Sequence, residues 1–132
     1  MTETTGLSPE EEQRWERGEA RLRAITGPHG LERLGWLRDV SEEMLRYVVE
    51  FAYGEVLARP ALDLRSRQLC TIAMLAALGR ERQLRAHIRN GLRVGLSKEE
   101  IIEALIQVAI YAGFPAAMSA LAEARAVFAE RT

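Results

Sequence analysis

Residues 63–79 read Asp63-Leu64-Arg65-Ser66-Arg67-Gln68-Leu69-Cys70-Thr71-Ile72-Ala73-Met74-Leu75-Ala76-Ala77-Leu78-Gly79. Asp63 is an N-cap residue, Gly79 is a helix stop, and no proline interrupts the run between them. From Leu69 to Leu78 the segment is apolar on nearly every side, far longer than a strand needs and without alternation. A helix that is apolar all round is surrounded by protein, so this one is expected at the centre of the fold. Its alanines permit close approach of neighbouring helices.

The flanking sequence repeats the same period. Glu81 to Val94 places Leu84, Ile88 and Leu92 on one stripe, and the Gly91 and Gly95 pair around Val94 marks its end. Ser97-Lys98-Glu99-Glu100 is a capping box for a helix carrying Ile101, Ile102, Leu105, Ile106 and Val108. Gly113-Phe114-Pro115 breaks it and starts another, Ala116 to Glu130. On the other side, Ser41 caps a helix whose Met44, Leu45, Val48, Phe51, Ala52 and Val56 recur at helical spacing until Arg59-Pro60. Ser8-Pro9-Glu10-Glu11 opens the first helix, which runs to about Ile25 and stops at Gly27-Pro28-His29-Gly30. No strand pattern occurs. The chain is expected to be an all-α bundle of about six helices. Residues 1–40 form an N-terminal helical extension and 41–132 the main domain, together one compact unit.

Composition narrows the classes. The chain has 132 residues, 48% hydrophobic and 28% charged, enough for one ordinary core and too apolar for a disordered segment. The acidic start, without an apolar run, lacks a secretory signal, and a cytoplasmic protein is expected. Gly113-Phe114-Pro115 divides the uncharged stretch Ala104–Ala122 into pieces too short to cross a bilayer. The single cysteine excludes an internal disulfide and a Cys-rich zinc module. His29 and His87 stand far apart with no ligand-spaced companions, so no metal and no cofactor is expected.

Charge is unevenly spread. The net charge is −1, yet residues 64–95 hold seven arginines against Glu81 alone. Pairing between this basic stretch and the acidic remainder explains it better than nucleic-acid binding. The helix that a helix-turn-helix reading would put in the groove carries Glu99, Glu100 and Glu103 and no arginine, so no nucleic acid is expected. The helices Leu64–Leu78 and Ile101–Tyr111 carry more apolar surface than a small bundle hides, which points to a homo-oligomer.

Three side chains could carry chemistry. Glu55 follows Phe51 by four and Val48 by seven, and so continues the apolar face at helical spacing. A carboxyl group there either gains proton affinity by desolvation or pairs with an arginine. His87 flanks Ile88 and points partly inward; a lone histidine at a core edge is more often structural than catalytic. Cys70, one turn after Arg67, is expected to be a buried small hydrophobe unless Arg67 activates it. His29 is expected to be exposed and idle.

From Phe51 onward the chain resembles the carboxymuconolactone decarboxylase family. The stretches are Phe51 to Pro60, Leu64 to Leu69 continuing through Leu75 to Gly79, Leu84 to Arg89, Gly95 to Ile101 and Ile110 to Ala117, in the family's order and spacing. The resemblance implies an all-α scaffold shared with alkyl hydroperoxidase D, assembled as a homohexamer, a trimer of dimers. It implies an enzyme that takes a small anionic substrate and decarboxylates 4-carboxymuconolactone to an oxoadipate enol-lactone. Glu55 and His87 match the family's acidic and imidazole positions, with His87 as proton donor and Glu55 as its partner or a base. Arg67 or Arg89 would bind a substrate carboxylate, with Tyr111 in the substrate-binding set. Met118 stands where the decarboxylases carry asparagine, and Ala112 where they carry cysteine, which suits a more apolar site and a different lactone or acid. The peroxidase branch has a Cys-x-x-Cys pair and a following histidine. Here Arg67 and Met74 occupy two of those positions, so only a single-cysteine peroxidase through Cys70 and an external thiol is chemically open. A non-catalytic oligomeric member is the third reading. Convergence of Glu55, Cys70 and His87 on one pocket is what would favour an enzyme.

Overall fold

A computed structural model of the chain describes residues 6–130; the reading of the acidic start falls partly on residues 1–5, outside them. Among the described residues there are helices and no strands. They are α1 (Pro9–Thr26), α2 (Gly30–Leu34), a 3-10 turn (Gly35–Asp39), α3 (Glu42–Arg46), a π-helix (Tyr47–Val56), α4 (Leu64–Leu78), α5 (Glu81–Arg93), α6 (Lys98–Ala112) and α7 (Phe114–Phe128). The helices expected from periodicity are present. The sequence around Leu31–Leu37, which has no clear period, supplies the extra short α2 and the 3-10 turn. No described helix is long and apolar enough to cross a membrane. The chain divides into two compact units, Met1–Ala61 and Leu62–Thr132.

In the first unit, Ser8 caps α1 by accepting from the Glu11 amide, and the Glu11 carboxylate accepts from the Ser8 amide in return. α1 lies against the π-helix with almost no side chain between the backbones. A Cβ on Gly18 would fall 1.8 Å from the Val49 carbonyl oxygen, and one on Gly54 would fall 2.9 Å from that of Arg14. Two glycines, one on each helix, therefore set the separation.

The π-helix overturns the face assignment for residues 44–56. Its bonds reach five residues back, as in the Leu57 amide donating to the Ala52 carbonyl at 2.9 Å, and the wider turn carries each side chain less far round the axis. Leu45, Val49, Glu50, Tyr53 and Gly54 are buried. Met44, Phe51 and Val56, expected inside, are exposed at 49%, 62% and 39%.

The second unit closes around Ile72, Leu84, Ile88, Ile101 and Leu105, each at most 1% exposed. Ala120 and Ala124 on α7 complete that core where only small side chains fit. The Asp63 side chain accepts from the Ser66 amide and caps α4, which ends at Gly79. α4 is not surrounded on all sides in the single chain. Its buried stripe is Gln68, Ile72 and Ala76, while Met74 and Leu78 are 57% and 68% exposed. The basic stretch pairs with acidic residues that follow it: Arg65 with Glu100 at 2.7 Å, Arg85 with Glu123 at 2.6 Å, and Arg89 with Glu130. These pairs are well exposed on the arginine side, so water screens them and each adds little to stability.

Gly18→Ala is expected to lower the unfolding free energy by about 2 kcal/mol or more, because the clash is with backbone that cannot rotate away. Urea denaturation of the variant measures it. Gly35→Ala, where an added Cβ meets nothing within 4 Å, is the matched control.

Candidate functional site

The inward carboxylate of the π-helix is Glu50, not Glu55. Glu50 is 8% exposed and accepts from Arg46 Nε at 3.2 Å, one α-helical step before it. Arg46 also donates to Glu11 at 3.1 Å, so one guanidinium joins α1 to the π-helix through two carboxylates. Those bonds hold Arg46 above its ordinary proton affinity, and the capping and arginine bonds hold Glu11 below its own. Glu55 is exposed, and its nearest cation is Arg17, at 3.6 Å with both side chains about half open to water. The expected apolar setting for Glu55 is therefore absent from the first unit. A 3.6-residue period cannot reveal this, because the π turn rotates Glu50 inward and Glu55 outward.

A cavity of the first unit, about 750 Å³, has Glu12, Glu16, Glu19, Glu42 and Glu43 in its wall beside Trp15, Arg38 and Arg46. Five carboxylates against two guanidinium groups make this wall repel an anionic substrate.

His87 and Cys70 belong to the second unit. His87 is partly buried on α5, and burial pushes its imidazole below the usual 6.5, towards the neutral form. Its neighbour across the helix pair is Gln68 on α4, whose side-chain nitrogen lies 3.4 Å from His87 Nδ1 and 3.4 Å from the His87 carbonyl oxygen. Gln68 is 1% exposed. Sequence reasoning passed over it, although a signal existed: Gln68 precedes Ile72 by four and Ala76 by eight, so it is the polar member of the buried stripe.

Cys70 corrects a second expectation. Its thiol is exposed rather than packed as a small hydrophobe, because α4 is covered on one face only in the single chain. Arg67 donates from Nε to the Leu62 carbonyl at 3.1 Å, bracing the entry to α4. Arg89 is held by Glu130 through Nε at 2.8 and 3.1 Å, which raises its proton affinity and lowers that of the carboxyl group. Residues two apart on a helix do not share a face, so Arg89 and His87 look to different sides of α5. Arg89 instead lines a groove of about 650 Å³ with Arg93, Lys98, Phe128 and Glu130. Lys98 Nζ sits 5.5 Å above the Phe128 ring there. Tyr111 is 85% exposed and Met118 67% exposed. His29 is exposed, as expected, and its Nδ1 lies 3.2 Å from a Glu32 carboxylate oxygen. No group of metal-binding side chains occurs among the described residues.

The sign of the His87 effect on stability follows from its direction. An unfolded histidine takes its proton near pH 6.5, before the folded one does, so the unfolded chain gains first as pH falls. This contribution is whole above about pH 6.5 and is lost as pH drops through the lower folded value. Denaturation curves between about pH 7.5 and pH 5.5 should lose stability for the wild type. His87→Gln should remove that part of the slope, and an unchanged slope would mean the imidazole is not desolvated.

Comparison with known proteins adds an independent line. The model of the family described as "Carboxymuconolactone decarboxylase family" matches residues 42–126. A 4-carboxymuconolactone decarboxylase of Acinetobacter baylyi is 39% identical over 119 residues, 89% of each chain. A nitrosuccinic acid decarboxylase of Metarhizium robertsii is 32% identical over 74 residues, 56% of this chain and 52% of that protein. An uncharacterised 15.0 kDa protein of Paracoccus denitrificans is 36% identical over 85 residues, 63% of each.

Proposed function

The chain belongs to the carboxymuconolactone decarboxylase family, and from that premise we propose that it is a carboxy-lyase acting on a small carboxylated lactone or related acid. The observation that carries this reading is His87: a partly buried imidazole within the family-matched segment, pushed by burial towards its neutral form and in contact with a fully buried amide. The names of two relatives, one acting on a carboxylated lactone and one on nitrosuccinic acid, support decarboxylation while differing in substrate.

Decarboxylation breaks the bond between the ring carbon and its carboxylate. Carbon dioxide leaves, the electron pair passes into the conjugated carbonyl system, and a proton is finally taken up at carbon. The protein must therefore supply a donor where negative charge gathers. His87 is that donor in this reading, and Glu55 is proposed as a base. Arg67 or Arg89 is the proposed holder of the substrate carboxylate. Tyr111 and Met118 would meet the apolar part of the substrate. The exposed apolar residues of α4, α6 and α7, among them Met74, Leu78, Ile110, Tyr111 and Phe114, support assembly with further copies of the chain, which we propose is a homohexamer.

The exposed thiol of Cys70 favours one other reading, a single-cysteine peroxidase recycled by an external thiol. A pair of assays separates the two. With 4-carboxymuconolactone, His87→Ala should lower kcat by about 100-fold or more and Glu55→Gln should lower it too, while Cys70→Ser turns over normally. With hydroperoxide and a thiol reductant, consumption that vanishes in Cys70→Ser would instead establish the peroxidase. Light scattering of the purified protein should give a mass six times that of the chain; a monomer would contradict the assembly.

A further inference from the structure

A buried side-chain amide has two hydrogens and a carbonyl to satisfy, and leaving them unpaired in an apolar core is costly. Gln68 sits on the buried stripe of α4, at 1% exposure, where every other member is aliphatic. It faces α5 and meets a single residue there with two contacts. Its Nε2 lies 3.4 Å from the His87 carbonyl oxygen and 3.4 Å from His87 Nδ1. A carbonyl oxygen can only accept, so the atom turned to α5 is the amide nitrogen and not its oxygen. That nitrogen carries two hydrogens, one for each acceptor. Both distances lie at the long end of the range for such bonds.

The consequence falls on the ring. If Gln68 donates to Nδ1, that atom must present its lone pair, and the ring proton of the neutral imidazole must sit on Nε2. The other tautomer, and the imidazolium, would set an N–H against an N–H. We propose that Gln68 is a positioning residue for His87, holding the imidazole in the neutral tautomer with its proton on Nε2. His87 then offers a hydrogen-bond donor, not a lone pair and not a full proton.

This rests on the reading that His87 meets the substrate, and it narrows the role expected from the resemblance. The bond to the leaving carboxylate breaks, carbon dioxide departs, and the electron pair moves into the conjugated carbonyl, whose oxygen accepts from His87 Nε2–H. Water then supplies the proton that ends on carbon, leaving hydroxide. His87 keeps its own proton throughout.

The test is nitrogen-15 spectroscopy of the imidazole in the full chain carrying His29→Asn, so that only the His87 ring contributes. The wild-type ring should show a protonated Nε2 and a bare Nδ1 at pH values above its titration. Gln68→Leu, which keeps the bulk and removes the donor, should give a mixture of tautomers. Gln68→Glu, whose carboxylate accepts, should move the proton to Nδ1. With 4-carboxymuconolactone, Gln68→Leu should lower kcat by roughly 10-fold or more while KM changes by less than about 3-fold. A Nδ1-protonated or mixed ring in the wild type overturns the proposal, even if neither variant folds. So does a tautomer ratio and kcat unchanged by Gln68→Leu. If instead the tautomer shifts as expected but His87→Ala retains full turnover, the positioning contact stands and the catalytic reading of His87 fails.

Discussion

An amide buried inside an apolar helix has to find its partners within the protein, and in the second unit the Gln68 side-chain nitrogen meets two acceptors on His87. The contact joins α4 to α5 beside a core that is otherwise aliphatic. It specifies the register of the two helices more narrowly than Ile72 and Ile88 can, because hydrophobic contact is indifferent to small shifts and hydrogen bonds are not. The ring that receives the contact is the one whose charge burial already disfavours. Desolvation and the amide thus act in one direction, towards a neutral imidazole.

The first unit depends on a different constraint, the absence of two side chains. Gly18 and Gly54 let α1 and the π-helix approach backbone to backbone. The widened turn between Tyr47 and Val56 brings Glu50 inside, where Arg46 neutralises it, and leaves Glu55 in water beside Arg17. The exposed row of Met44, Tyr47 and Phe51 is the other product of that rotation. A single buried carboxylate in each reading of this segment is common to both, but the identity of the residue changes.

Charge behaves more simply. The arginine-rich stretch that suggests a polyanion partner is answered in part within the chain, where Arg65, Arg85 and Arg89 pair with Glu100, Glu123 and Glu130. The groove lined by Arg89, Arg93 and Lys98 keeps more positive than negative groups, in contrast to the carboxylate-walled cavity of the first unit.

Helix content, most helix limits and the two capping boxes were legible in the amino-acid order, because they depend on interactions no more than a few residues long. Ser8 with Glu11, Ser97 with Glu100 and Asp63 with Ser66 are local bonds, and the structure forms each of them. The aliphatic core of α4 and α5 was legible too, since a 3.6-residue period reports which positions share a face. Which face Glu55 takes was not legible, because the period itself changes in a π-helix, and the spacing of apolar residues does not announce that change. Nor was the exposure of Cys70, which depends on how many neighbours α4 acquires in the single chain. The pairing of Gln68 with His87 crosses between helices, and only packing in three dimensions decides which buried polar group faces which.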